Sequence, residues 1–189
     1  MLIALSGPSG IGKGFIKNRL MANCPELTEL SWLTTRQPRP QESLTGNRTF
    51  VTTVHFDELE CVGECVLIQN LYGNRYGLER KHLVPQKTKR VTEIHPENVL
   101  GTLEIAPDAI LIGLVTSDYN MLRERMIDRA EETLSLNARL EAARSEMALI
   151  ESQRSLFHLV VEISRDNETT ERIISHIATL ISSEGESYA

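Results

Sequence analysis

Gly7-Pro8-Ser9-Gly10-Ile11-Gly12-Lys13, close to the amino terminus, carries the residue types that bind a polyphosphate. Glycines let the backbone bend so that successive N–H groups, and the start of the helix that follows, point at phosphate oxygens. A lysine at the end of the loop sets a mobile positive charge on the terminal phosphates. Such a loop needs a strand before it and a helix after it. The run Leu2-Ile3-Ala4-Leu5 supplies the strand, and Phe15, Ile16 and Leu20 give an apolar stripe at helical spacing from about Lys13 to Ala22. The chemistry expected is nucleotide-dependent.

One position departs from the usual loop. The residue after the lysine is ordinarily Ser or Thr, whose hydroxyl ligates the magnesium ion bridging the outer phosphates. Here it is Gly14, followed by Phe15. The metal must then be held by phosphate oxygens, water and some other side chain.

Two further constellations suit phosphate. Thr34-Thr35-Arg36-Gln37-Pro38-Arg39-Pro40-Gln41-Glu42, followed by Gly46, sets Arg36 and Arg39 in a segment stiffened by prolines. Each guanidinium can donate two parallel hydrogen bonds to phosphate oxygens, and the restricted backbone lowers the cost of ordering them. Farther on, Arg125 and Arg129 lie one helical turn apart, and Arg139 follows a polar stretch at 130–135. Mobile arginines that close over a transferring phosphoryl group stabilise its spread charge and exclude water. The competing readings are a solvated basic loop for the first segment and an ordinary charged helix face, with Glu124 and Asp128 as partners, for the second.

The elements that must position these residues follow from length and periodicity. A chain of 189 residues, 41% hydrophobic, suits one compact domain. A net charge of −6 argues against a general nucleic-acid surface. Three cysteines, Cys24, Cys61 and Cys65, are too few and too irregular for a disulfide framework, so buried thiols in a reducing cytoplasm are expected. No secretion signal and no membrane span is read. Short strands are predicted at Leu2–Ser6, Val66–Gln69, Lys89–Ile94, Ala109–Val115 and Leu159–Ile163, several of them apolar on both faces as in a covered parallel sheet. Helical spacing runs through Leu136, Leu140, Ala143, Met147 and Ile150, and again through Ile173, Ile174, Ile177, Leu180 and Ile181 after a cap at Asp166 or Asn167. Strand and helix alternate, which predicts an α/β fold with a parallel core. The stretch Trp32 to Pro85, rich in Pro, Gly and Thr, reads as an inserted subdomain.

In this order the pieces resemble the guanylate kinase family, over nearly the whole chain. Gly7 to Lys13 is similar to its opening loop. Thr34-Thr35-Arg36 with Pro38-Arg39 and Glu42 is similar to its Thr-Thr-Arg-x-Pro-Arg-x-x-Glu signature, and Gly73-Asn74-Arg75-Tyr76-Gly77 to its Gly-x-Tyr-Tyr-Gly turn. Arg125, Arg129 and the run Ser135 to Leu140 are similar to its lid pieces. The resemblance implies a three-layer P-loop α/β fold with a parallel-sheet core (1–31, 86–124 and 146–183), an acceptor-binding insert (32–85), a lid (125–145) and a flexible tail (184–189). It implies ATP and Mg2+ as cofactors, with Gly7, Pro8, Ser9, Gly10, Ile11, Gly12, Lys13, Gly14 and Arg129 on ATP. By the same resemblance Arg36, Arg39 and Tyr76 hold the acceptor phosphate, while Lys13, Arg125 and Arg139 are catalytic. The partner is a small phosphorylated molecule, with no nucleic acid or membrane, and the protein is a monomer or homodimer.

The departures from the family gather where guanine is read. Leu67 stands where a Glu accepts from the base, Trp32 where a Ser contacts it, and Leu78 where a Ser or Thr follows the Tyr-Gly pair. Arg48 takes the place of a phosphate-binding Tyr, and Glu93 with His95 that of an acidic pair. A site that leaves a buried donor unpaired can lose roughly four orders of magnitude in selectivity. The acceptor is therefore a different nucleoside monophosphate, with Trp32 stacking on its base, or a smaller sugar phosphate, as in the related ribose bisphosphate phosphokinases. Trp32 and Leu67 as core fillers are the plain alternative. Glu93 is the candidate for a water-mediated metal contact. A non-catalytic guanylate-kinase-like binding module is the rival from another class, although such domains erode the loop and lid that this chain keeps.

Overall fold

The computed structural model describes residues 1–38, 48–71, 73–84, 88–127 and 136–185. Its centre is a parallel five-stranded sheet. In chain order the elements are β1 (Leu2–Ser6), α1 (Lys13–Asn23), β2 (Leu27–Glu29), β3 (Trp32–Thr34), β4 (Arg48–Phe50), α2 (Thr53–Cys61), β5 (Cys65–Leu71) and β6 (Asn74–Glu79). They continue with β7 (Lys89–Ile94), α3 (Val99–Ile105), β8 (Ile110–Val115), α4 (Tyr119–Ile127), α5 (Leu136–Ser152), β9 (Leu159–Glu162) and α6 (Asn167–Gly185). The central sheet runs β2-β7-β1-β8-β9, with β1 buried along its whole length.

Strand alternation sorts its side chains into two layers. Ile3 and Leu5 pack on one face with Ile16 and Leu20 of α1 and Ile174, Ile177 and Ile181 of α6. Leu2 and Ala4 pack on the other with Val99 of α3 and Ile150 of α5. Both faces are covered, as the unbroken apolar reading of the strand requires. Asp166 caps α6, its Oδ1 accepting from the Glu168 N–H at 3.0 Å.

A second, four-stranded sheet runs β4-β3-β6-β5. Only β3 and β4 are parallel; β6 pairs antiparallel with both β3 and β5. Val66–Gln69 thus belongs to this mixed sheet and not to the parallel one. Its apolar run has another cause: Cys65 packs with Leu33 and with Phe56 of α2, while Val66 and Leu67 pack toward the main sheet.

Three other expectations change. Phe15 is 54% exposed, and the buried positions of α1 are Ile16, Lys17 and Leu20. Cys24 and Cys65 are buried but Cys61, at the end of α2, is exposed. Helix α6 continues to Gly185, through the first two positions of the tail expected from 184. Among the described residues no helix is long and apolar enough to cross a membrane.

Candidate active site

The opening loop lies where β1 leaves the sheet and α1 begins. Parallel open sheets present ligand crevices at the carboxyl ends of their strands, and in the register Leu5 stands beside Glu93 and Ser6 beside Gly113. Gly10 and Gly12 have φ of +82° and +110°, a region that L side chains rarely adopt. Gly12 is the N-cap of α1, which leaves the first N–H groups of the helix directed into the loop. The Lys13 ammonium folds back over the bend, donating to the carbonyls of Gly7 (2.6 Å) and Pro8 (3.0 Å).

Helix α4 meets the same loop from the other side. Arg125 Nη1 donates to the Ile11 carbonyl at 3.0 Å and lies 3.4 Å from that of Gly10. Arg139, in the first turns of α5, is 6% exposed and donates from Nη1 to the Met126 carbonyl at 3.1 Å. Its Nε and Nη2 are buried with no acceptor among the described residues, a cost that an anion's oxygens would relieve. Lys13 and Arg125 thus converge on one loop, and Arg139 joins them through the peptide of Met126. Arg129 and Arg39 lie outside the described residues.

Glu93 reaches the loop's missing side chain. A Cβ built on Gly14 would sit 3.7 Å from Glu93 Oε1. That oxygen accepts from Lys17 Nζ at 2.6 Å, and the same ammonium is 2.5 Å from Glu29 Oε1. Burial pushes the Glu93 carboxyl up, but Lys17, Lys13 and Arg48 outweigh it and hold it below its usual range. Lys17 and Glu29 were not singled out from the sequence. The available signal was a lysine on the buried stripe of α1.

No group of three or more His, Cys, Asp or Glu among the described residues could hold a metal unaided. The Glu93 carboxylate beside Gly14 is an oxygen donor of the kind that suits a magnesium ion held also by nucleotide phosphates and water.

Beside the four-stranded sheet, Arg36 lies over the Phe50 ring at 5.4 Å and donates to the Gln37 carbonyl at 2.8 Å. Tyr76 is half-buried and pairs in register with Thr34. Arg48 heads β4 opposite Trp32.

The expectation that Trp32 stacks on a base gives way to core filling. Its indole is 6% exposed, packed with Leu67 and Leu78, and its Nε1–H donates to Thr92 Oγ1 at 3.0 Å. Leu67 has φ +53° at a break in the β5–β6 register, which costs about 1–2 kcal/mol for a residue with a Cβ. Asn98 Nδ2 donates to its carbonyl at 2.8 Å, and its Cδ2 lies 3.1 Å from where a Cβ on Gly101 would be. Asn98 and Thr92 escaped the sequence reading because their roles depend on long-range packing.

The sequence model of the guanylate kinase family matches residues 1–184. The chain belongs to the guanylate kinase family. It is 30% identical over 197 residues to the guanylate kinase of Streptococcus thermophilus (strain CNRZ 1066), covering 96% of this chain and 94% of that one. With the guanylate kinase of Streptococcus pneumoniae (strain ATCC BAA-255 / R6) it is 30% identical over 155 residues, 79% of this chain and 74% of that one. The crystal structure of guanylate kinase from Anaplasma phagocytophilum superposes with a TM-score of 0.72 at 23% identity, over 98% of this chain and 86% of that one. Shikimate kinase from Acinetobacter baumannii, in complex with shikimate, gives 0.55 at 16% identity, over 97% and 93%. At these identities the two structures speak for the fold alone, an α/β architecture with a parallel-sheet core. Membership of the guanylate kinase family makes the chain a nucleotide kinase, a phosphotransferase.

Proposed function

We propose that this chain moves the γ-phosphoryl group of ATP, with Mg2+, to the phosphate of a small acceptor, a nucleoside monophosphate. The convergence of Lys13, Arg125 and Glu93 on one glycine-rich loop carries this reading. An oxygen of the acceptor phosphate forms the new P–O bond as the bond to ADP breaks, in line, without a covalent enzyme intermediate. Loop N–H groups and Lys13 orient the outer phosphates. Arg125 and Arg139 neutralise the charge that spreads over the moving group, with Arg129 on the donor. Arg36, Arg39, Arg48 and Tyr76 hold the acceptor phosphate. Magnesium would be held by the nucleotide's phosphate oxygens and, through water, by Glu93 beside Gly14, and would screen the phosphate charge.

The core (1–31, 86–124, 146–183), insert (32–85) and lid (125–145) correspond to these three tasks. Positioning and charge neutralisation are the whole of catalysis. Trp32, Leu67 and Leu78, packed as one apolar group, offer guanine no hydrogen-bond acceptor from their side chains. This favours a second reading, in which a sugar phosphate, smaller than a nucleotide, is the acceptor.

A coupled assay of ADP release across nucleoside and sugar monophosphates tests the proposal. Stimulation by a nucleoside monophosphate is expected, and stimulation by sugar phosphates alone selects the second reading. ATP binding without acceptor-stimulated turnover across the panel would indicate a binding module.

A further inference from the structure

We infer that Lys17 is a positioning residue, whose ammonium, held between Glu29 and Glu93, fixes the Glu93 carboxylate at the place left open by Gly14. The inference rests on the reading of Glu93 as a water-mediated metal contact and adds the device that makes it work.

Three observations carry it. First, Lys17 is only 4% exposed on the face of α1 that otherwise buries Ile16 and Leu20. A leucine or methionine would pack there without the desolvation cost of an ammonium, and buried ion pairs contribute little net stability. Packing alone therefore gives no reason for a lysine.

Second, one oxygen does two things. Glu93 Oε1 accepts from Lys17 at 2.6 Å and is also the atom nearest a Cβ on Gly14, at 3.7 Å. The ammonium thus pins that oxygen beside the residue whose hydroxyl the loop lacks.

Third, the lysine is itself anchored from a separate strand. Glu29, on β2, takes it at 2.5 Å, and β2 pairs with β7, which carries Glu93, placing Glu29 opposite Val91. A carboxylate reaching a metal through water needs a fixed direction, and partners of this outer kind are worth about 10-fold or more in metal affinity.

The test is the gain in affinity that Mg2+ gives for a fluorescent, non-hydrolysable ATP analogue, measured at equilibrium without turnover. Lys17→Gln is expected to reduce this gain by about 10-fold, Lys17→Arg to keep most of it, and Gly14→Ser to restore it in the Lys17→Gln background. An unchanged gain in Lys17→Gln, with the gain reduced in Glu93→Gln, would overturn the inference and leave the role of Glu93 standing. No change in either variant would remove the reading of Glu93 as well. Should Lys17→Gln fail to fold, Glu29→Gln loosens the same ammonium; a smaller gain supports the inference and an unchanged gain overturns it.

Discussion

Arg125 on α4 donates to the carbonyl of Ile11 at 3.0 Å, across 114 positions of sequence. Helix α4 is thereby tied to the glycine-rich loop by the side chain proposed to act on the transferring group. Replacing Arg125 with Ala should lower kcat by about 10²–10³-fold, the scale found when one preorganised transition-state donor is removed. KM for ATP should change far less. A steady-state comparison checks this, and a rise in KM with unchanged kcat would make Arg125 a ground-state contact.

Lys13→Ala should reduce turnover at least as strongly while leaving the thermal midpoint nearly in place. Lys13 is half-buried, and its bonds run to carbonyls of its own loop. Circular dichroism beside the activity assay separates loss of chemistry from loss of fold. Unchanged activity would remove the loop from the mechanism.

How much of this was legible beforehand depends on how local each signal is. β1, the loop and α1 are contiguous, and so are the long stripes of α5 and α6; period and glycine placement sufficed for them. Phe15 falls on the apolar stripe of α1 by spacing and is exposed, whereas the role of Lys17, a charge on the buried face, depends on β2 and β7 bringing Glu29 and Glu93 to it. The apolar run at 66–69 marks a strand without marking its partners, because a run buried on both faces reads alike in parallel and mixed sheets. Trp32 looked like a stacking platform until packing gave its indole to Thr92.

The chain's single tryptophan makes that last point measurable. Trp32 emission should be blue-shifted, and iodide should quench it poorly. Saturating acceptor should leave its intensity nearly unchanged, since the ring is interior. Strong quenching by an acceptor would return Trp32 to the role of a stacking surface.

Leu67→Glu places a carboxylate among apolar neighbours at a position with φ +53°. The thermal midpoint should fall, by an amount equivalent to about 2–4 kcal/mol. If the position faces the acceptor's base, GMP should recover part of the loss by mass action and gain activity. A midpoint and activity indifferent to GMP would place residue 67 away from the base.

Acid dependence follows from Glu93. Its carboxyl is held below the model-compound value of 4.5, so its contribution to stability is fully present above that pH and is lost as pH falls through the lower folded value. Denaturation midpoints measured between pH 7 and pH 3 should fall more steeply for the parent protein than for Glu93→Gln. Parallel curves would mean that Glu93 gains nothing from Lys17 on folding.

Cysteine chemistry gives an independent check on the packing of the four-stranded sheet. Burial first, then Glu60 and Glu79, push the Cys65 thiol up to about 11. Cys61 is exposed. In the native protein iodoacetamide at pH 8 should label Cys61 first and spare Cys65 until the protein unfolds; equal rates would contradict the packing of β5 against α2.

The most direct test of the central claim is calorimetric titration of ATP with Mg2+ into the protein and into Lys13→Ala. Saturable one-site binding by the parent, weakened by at least about 10-fold in the variant, is predicted for a triphosphate gripped by the loop. Absence of binding to the parent, or equal affinity in both proteins, would contradict it.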